Sequence, residues 1–319
     1  ISFQSAKGLE FDYSGEMYVI ESQRCSQMST PDHKMAYLDK SGLWGSDTVE
    51  NLSKTRFTIP FNGQRLVDAR GNDIALRVII MTQADGHYTK ESLRFHFKKK
   101  RKIERCKMLL RRAGIVYGIR SNKDSSAVID IKRRDMPIWL RLFRDKVFGT
   151  WILNESADTF FDELENWDAC RCGPNSIQYV STVKQNADVI QALAHMSRRA
   201  ASIITKVRNR EKWADAYAVN IWLTPGKGNA IRREHVSTQN YDGKVYCAET
   251  RTGFFMVRRN GKVWITGNSG RLVQVQNLPR CYMEDLDDAR LMLHTWDREL
   301  LEAFYDDVPD VLSQLIRTT

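Results

Sequence analysis

Two pairs of residues in this 319-residue chain have the types and placement to do chemistry. The first is Asn268-Ser269, which follows Trp264-Ile265-Thr266-Gly267. An asparagine side-chain amide can attack its own backbone carbonyl, close a succinimide and break the bond to the next residue. A serine just after that bond offers a hydroxyl for acyl transfer. The second pair is Asp85 and Asp168, 83 positions apart, each closing an apolar stretch. Two neighbouring carboxylates repel unless a cation sits between them, and hard oxygen ligands suit Mg²⁺. A metal held there can activate water and neutralise the charge that builds on a phosphodiester during hydrolysis.

The elements that must position the two acids form an internal repeat. The first copy runs through Ile74-Ala75-Leu76-Arg77-Val78-Ile79-Ile80-Met81 to Asp85-Gly86. A strand-like alternation follows, with Leu93, Phe95 and Phe97 on one face and Arg94 and His96 on the other. Next comes a basic helix over 98–113, opening Lys98-Lys99-Lys100-Arg101, with Ile103, Cys106, Leu109, Leu110 and Ala113 at helical spacing. The second copy begins at Ser156, a suitable N-cap. Ala157, Phe160, Phe161, Leu164 and Trp167 then make one helical stripe that ends at Asp168, followed by a strand at 177–180 and a helix over 184–199. If the two acid-bearing helices pack side by side, both carboxylates come together and the flanking strands form a saddle for DNA. The plain alternative for Asp85-Gly86 is a turn.

Around Asn268 the elements are simpler. Val245 to Thr250 and 253–267 alternate like strands, and Asn260-Gly261 is a strong hairpin signal. A hairpin does not by itself account for the Asn-Ser ending.

Composition sets the limits. The chain is 42% hydrophobic and 28% charged with 7 prolines, which fits globular domains and excludes disordered or fibrous classes. No apolar run approaches a membrane span, so no membrane partner is expected. The six cysteines form no CxxC pair, which argues against a structural zinc site or a disulfide scaffold and for a reducing, cytoplasmic setting. Position 1 is Ile and no leader follows it, so the chain reads as a fragment without a signal peptide. The net charge of +10 is uneven: residues 61–222 carry +12 between acidic ends. That middle is where a polyanion is expected, although a solvated basic face without a partner reads the same way.

Three family resemblances sharpen this. Residues 61–222 resemble the two-motif, single-chain LAGLIDADG homing endonucleases through Thr82-Gln83-Ala84-Asp85-Gly86 and Asn166-Trp167-Asp168-Ala169, with Ala169 where glycine is usual. The resemblance implies an α+β nuclease using Mg²⁺ on Asp85 and Asp168. It implies double-stranded DNA along Arg94, His96, Lys98, Lys99, Lys100 and Arg101, and a catalytic lysine on a later strand, for which Lys206 is the candidate.

The Val245-Tyr246-Cys247 stretch, Arg258-Arg259-Asn260-Gly261-Lys262 and Thr266-Gly267-Asn268-Ser269 resemble the C-terminal end of an intein. Thr30-Pro31-Asp32-His33 is similar to the Thr-x-x-His motif of the same family. This implies an all-β Hint-type splicing domain needing no cofactor, with Asn268 cyclising and Ser269 opening the downstream segment. Cys247 and Thr266 would assist, and Thr30 and His33 would polarise the upstream amide. The family usually has His where Gly267 stands, which implies slowed cleavage. Ser269-Gly270-Arg271-Leu272 with Gln276-Asn277-Leu278-Pro279 resembles family A DNA polymerases, particularly phage ones. It implies that Arg271, Gln276 and Asn277 lie near duplex DNA.

The expected architecture is therefore mixed. Residues 1–60 and 223–268 form the all-β splicing domain, 61–222 the two-repeat endonuclease, and 269–319 a short, mainly helical polymerase extein. The expected protein is a monomer, of phage or bacterial origin, that lacks the upstream intein and extein segments it would need to splice. The alternative is a DNA-binding insert with decayed catalytic sites, marked by Ala169 and Gly267, within a DNA polymerase chain.

Overall fold

The computed structural model describes residues 7–39, 41–64, 73–122, 124–143, 146–207, 214–226, 228–250 and 253–267. Within these the chain divides into two compact units. One gathers 7–64, 191–206 and 218–267; the other gathers 73–190, 207 and 214–217.

The first unit opens with a long strand β1 (Lys7–Glu21), then β2 (Ser26–Ser29), β3 (Lys34–Leu38) and β4 (Trp44–Thr48). A single helical turn α1 (Val49–Leu52) follows, its N-cap Thr48 accepting from the Asn51 amide, and then β5 (Phe57–Ile59). The second unit brings α2 (Asp73–Asp85), β6 (Gly86–Tyr88), β7 (Ser92–Phe97), α3 (Lys100–Arg112), β8 (Gly118–Ser121) and β9 (Ala127–Lys132). It continues with α4 (Ala157–Trp167), β10 (Ala169–Gly173) and β11 (Ser176–Ser181). The division between the units falls within α5 (Lys184–Met196) and, after β12 (Ala200–Lys206), within β13 (Ala216–Trp222). The first unit then closes with β14 (Asn229–Ile231), β15 (Val236–Glu249), β16 (Phe254–Arg259) and β17 (Lys262–Gly267).

The backbone of the first unit is the antiparallel ladder of β1 on β15, unbroken from Lys7↔Glu249 to Ile20↔Val236. A short motif occurs on both strands. Tyr13 donates its hydroxyl to the Glu16 carbonyl at 2.7 Å, and Tyr241 does the same to Lys244 at 2.8 Å. Each ring lies over the glycine two residues on, where a β-carbon would meet the tyrosine oxygen at 3.0 Å. Each tyrosine also faces the other strand's glycine in the register, Tyr13↔Gly243 and Gly15↔Tyr241. The same-face spacing of two residues makes this packing possible.

The unit's core gathers Ile20, Cys25, Met35, Val49, Leu52, Phe57, Ile59, Ile231 and Trp264. Strand β14 pairs with β5 through Asn229↔Ile59 and Ile231↔Phe57, which joins segments far apart in the chain. Gly228 permits this approach, since a β-carbon there would lie 2.6 Å from the Ile59 carbonyl oxygen. The β16–β17 hairpin turns at Asn260-Gly261 with φ of 50° and 70°, the left-handed pair that the dipeptide predicts.

In the second unit α2 packs on α4, and β6, β7, β9 and β8 form one four-stranded sheet in that order. Leu93, Phe95 and Phe97 are buried while Arg94 and His96 face outward, as their alternation requires. Phe97 meets Trp167 of α4 with ring centres 5.6 Å apart. Strands β10 and β11 form the antiparallel pair that follows the second helix.

Gly261 carries two constraints at once, its left-handed φ and a β-carbon position only 2.0 Å from the Ile203 carbonyl oxygen. Gly253 has a similar φ of 72° in open space. Gly261→Ala should therefore destabilise the protein by more than about 1 kcal/mol, and by clearly more than Gly253→Ala. Paired denaturant titrations would show this, and equal losses would refute the steric part of the argument.

Candidate active sites

In the first unit the turn Thr30-Pro31-Asp32-His33 closes on itself, the His33 amide donating to the Thr30 carbonyl at 3.0 Å. Pro31 sits where its fixed φ suits such a turn. The His33 carbonyl accepts from the Val49 amide at 2.9 Å, which ties the turn to the start of α1. The ring is buried, and its Nε2 lies 2.6 Å from Thr266 Oγ1 on β17, 233 residues further along the chain. The Thr266 hydroxyl also reaches Met35 Sδ at 3.8 Å, and that sulfur accepts from Gln27 Nε2 at 2.8 Å. Burial pushes the His33 pKa down to about 4, against the upward pull of Asp32. At neutral pH His33 is thus an uncharged imidazole, the form that can take a proton.

Cys247 is buried on β15, opposite Leu9 of β1. Its thiol faces the Ala248 carbonyl at 4.0 Å, and none of the described hydrogen bonds ties it to His33 or Thr266. Gly267 follows Thr266 at the end of β17. A β-carbon there would lie 2.8 Å from the Lys34 carbonyl oxygen and 3.3 Å from the Phe254 ring. A side chain at this position would therefore crowd the neighbouring strand. Asn268, Ser269, Arg271, Gln276 and Asn277 lie outside the described residues.

In the second unit Asp85 ends α2 and Asp168 is the C-cap of α4. Lys102 Nζ, from α3, meets Asp85 Oδ2 at 2.5 Å and lies 5.5 Å from the centre of the Trp167 ring. Lys146 Nζ reaches the Ala84 carbonyl at 3.4 Å. Crowding by the protein, and after it the charge of Asp85, raises the Asp168 pKa, while Lys102 and Lys146 pull it down. Asp168 keeps a solvent-open side, which limits the size of that rise but not its direction. The four groups share one electrostatic neighbourhood. Among the described residues no three His, Cys, Asp or Glu side chains converge on a metal-sized site.

The surroundings hold these groups in place. Lys146 has a left-handed φ of 59°, a strained conformation for a residue with a side chain. Asn186 pins it, donating to the Lys146 carbonyl at 3.1 Å while accepting from the Phe148 amide at 2.7 Å. Beneath Trp167, fully buried Glu163 accepts from the indole Nε1 at 2.6 Å, from Arg77 at 2.8 Å and from Arg105 Nε at 3.1 Å. The two copies differ after the acid for a steric reason. At Gly86 a β-carbon would lie 2.5 Å from the Thr82 carbonyl oxygen, whereas Ala169 carries its β-carbon at the start of β10 without a left-handed φ.

The expected DNA-facing residues fare unequally. Lys98, Lys99, Lys100 and Arg101 are exposed, and Arg101 donates to the Asn166 carbonyl at 2.8 Å. Arg94 is paired with Asp130 at 2.9 Å, and Lys132 shares that carboxylate, so Arg94 is not a free cation. His96 lies 3.4 Å from Ser126 Oγ. Lys206 ends β12 in the first unit, while the lysines beside the carboxylates are Lys102 and Lys146. The signal for Lys102 is readable in the sequence. It stands four and seven residues before Cys106 and Leu109, in register with the buried stripe of the basic helix. Glu163 interrupts the stripe of Phe160 and Trp167 in the same way. Nothing comparable marks Lys146.

No protein-family model matches the chain. It is similar to the ribonucleoside-diphosphate reductase subunit beta of Aquifex aeolicus (strain VF5), with 24% identity covering 82% of this chain and 43% of that protein. It is also similar to the DNA polymerase of Bacillus phage SP02, 46% identical over 79 residues, which is 24% of this chain and 11% of that protein. The chain thus spans less than half the length of either relative. Among solved structures, the homing endonuclease I-DmoI in complex with DNA and Mn is similar with a TM-score of 0.34 and 12% identity, over 47% of this chain and 90% of that one. Full-length DUF199/WhiA from Thermatoga maritima gives a TM-score of 0.34 and 11% identity, over 47% of this chain and 50% of that one.

Burial also holds the His195 pKa at about 4, although the Phe61 and Ala201 carbonyls lie 2.6 and 2.9 Å from its ring nitrogens and pull upward. Both histidines are neutral in the fold but protonate below about 6.5 once unfolded. Their contribution to stability is present above that pH and is lost as pH falls toward 4. Each should add a slope of up to about 1.4 kcal/mol per pH unit in that window. Denaturant midpoints from pH 7.5 to 4.5 should fall accordingly, less steeply in His33→Gln; an unchanged slope in that variant would count against a neutral, buried His33.

Proposed function

We propose that this chain combines a protein-splicing unit with a DNA-cleaving unit, followed by the start of a polymerase-type host segment. Residues 1–60 and 223–268 would carry the splicing chemistry, 61–222 the endonuclease, and 269–319 the host segment. The observation that carries the reading is the contact of His33 Nε2 with Thr266 Oγ1. It joins motifs from opposite ends of the first unit, two residues before Asn268. The relatives fit this reading. Two proteins whose printed names share no chemistry, matched over different shares of one chain, are what an inserted element and a piece of its host would give.

In the splicing step, neutral His33 takes a proton by way of the Thr266 hydroxyl as the Asn268 amide nitrogen attacks its own carbonyl carbon. The bond to Ser269 breaks, and the Ser269 nitrogen takes up the proton held by His33 as it leaves as an amine. Thr30 and the His33 turn fix the ring, and Met35 holds the Thr266 hydroxyl. Cys247 fills a core position in this account. In the nuclease, Asp85 and Asp168 are suited to hold Mg²⁺, whose remaining ligands would be water and phosphate oxygens. Such an ion polarises the phosphodiester and lowers the pKa of bound water. Lys146 and the exposed bases of α3 bind and orient the phosphate backbone of double-stranded DNA. A second reading, DNA binding without cleavage, is favoured by one observation: the Lys102 ammonium already neutralises Asp85.

The splicing claim predicts that the expressed chain releases a C-terminal piece beginning at Ser269. That release should be abolished in Asn268→Ala and slowed about 100-fold or more in His33→Ala. Intact-mass spectrometry over time measures both, and full-length chains in all three samples would refute it. For the nuclease, Asp85→Asn should lower Mg²⁺-dependent DNA cleavage at least about 100-fold while retaining DNA binding. An Asp85→Asn protein that cleaves as well as the parent would sink the carboxylate site.

A further inference from the structure

Lys102 is out of place for an ordinary surface lysine. It belongs to a run of five bases, Lys98 to Lys102, whose first four members are exposed. Its side chain is only 14% exposed. Helical register turns it inward over Cys106 and Leu109, and a lysine is rarely buried unless it is paired. The partner is Asp85, at 2.5 Å, and the ammonium also lies over the face of Trp167. Trp167 cannot turn freely, because its indole nitrogen is held by the buried Glu163 at 2.6 Å and Glu163 is held by Arg77 and Arg105. The ammonium is thus positioned by a chain of fixed contacts, and it occupies one of the few places from which a positive charge can reach both acids.

The geometry points to Lys102 as a tethered counter-ion that competes with a divalent metal for Asp85. This rests on the reading of Asp85 and Asp168 as metal ligands. In the resting protein Lys102, with Lys146 beside Asp168, offsets the repulsion between the two carboxylates, so the pair stays assembled without metal. A divalent ion binds Asp85 only by displacing the ammonium from it, which lifts the charge off the Trp167 ring. Lys102 is a positioning residue in this scheme: it sets how much free metal the site requires and touches no reacting atom.

The test uses Mn²⁺ alone, in the full chain without DNA, with affinity read from the electron paramagnetic resonance of the free ion. Lys102→Met keeps the length of the side chain and its contact with Trp167 but removes the charge. Mn²⁺ should bind this variant about tenfold more tightly or better, the scale on which a close charge perturbs a carboxylate. Binding should be lost in both Lys102→Met/Asp85→Asn and Asp85→Asn. In the parent protein Mn²⁺ should also change the part of the tryptophan emission that is absent in Trp167→Phe. Unchanged or weaker affinity in Lys102→Met overturns the proposal while leaving the metal site intact, provided Asp85→Asn still abolishes binding. No binding even in Lys102→Met overturns both. Should Lys102→Met fail to fold, the parent decides alone: a Trp167 signal that does not respond to saturating Mn²⁺ refutes displacement.

Discussion

The β1–β15 ladder is the constraint on which the first unit depends. It joins Ile20 to Val236, and closing so long a loop of flexible chain would cost about 5 kcal/mol in entropy. An unbroken run of paired residues offsets that, helped by the matched tyrosine–glycine packing on the two strands. Within the same unit the turn at His33 and the last residues of β17 meet, 233 residues apart in the chain. The β5–β14 pairing does a similar service on a smaller scale. It holds Ile59 beside Asn229, 170 positions apart in the chain.

The two sites solve opposite electrostatic problems. Around His33 the protein removes water and supplies few charges, so the imidazole stays neutral, its pKa pushed down to about 4. Around Asp85 and Asp168 it keeps charge and manages it, with Lys102 paired to Asp85 and both Lys102 and Lys146 acting on Asp168. Burial is the dominant influence at both. It disfavours the protonated histidine in one case and the ionised carboxyl in the other, as expected of a low-dielectric environment acting on groups of opposite charge type.

Much of this was legible in the sequence where periodicity and turn chemistry agree. The Asp85 and Asp168 helix ends, the Leu93-Phe95-Phe97 alternation and the Asn260-Gly261 turn follow from local rules. The strand β8 was not anticipated, because four exposed residues in 118–121 leave no alternation to read. Lys146 was invisible for a different reason. Its position depends on a strained backbone held by Asn186, a contact 40 residues away that no local pattern encodes. The tight packing at Gly267 was equally hidden, since it comes from the carbonyl of Lys34 on a strand distant in sequence.

The buried carboxylate of Glu163 has one more consequence. Helices that meet through smooth apolar faces can slide by a turn, about 5.4 Å, at modest cost. Here such a slip would pull the buried carboxylate of Glu163 away from Arg77 and break one of its two ion pairs, at a cost in the interior. Thr159 bonded to Asp73 at 3.0 Å marks the same alignment at the far end. The ion cluster therefore works as a detent that fixes the axial level of α4 against α2.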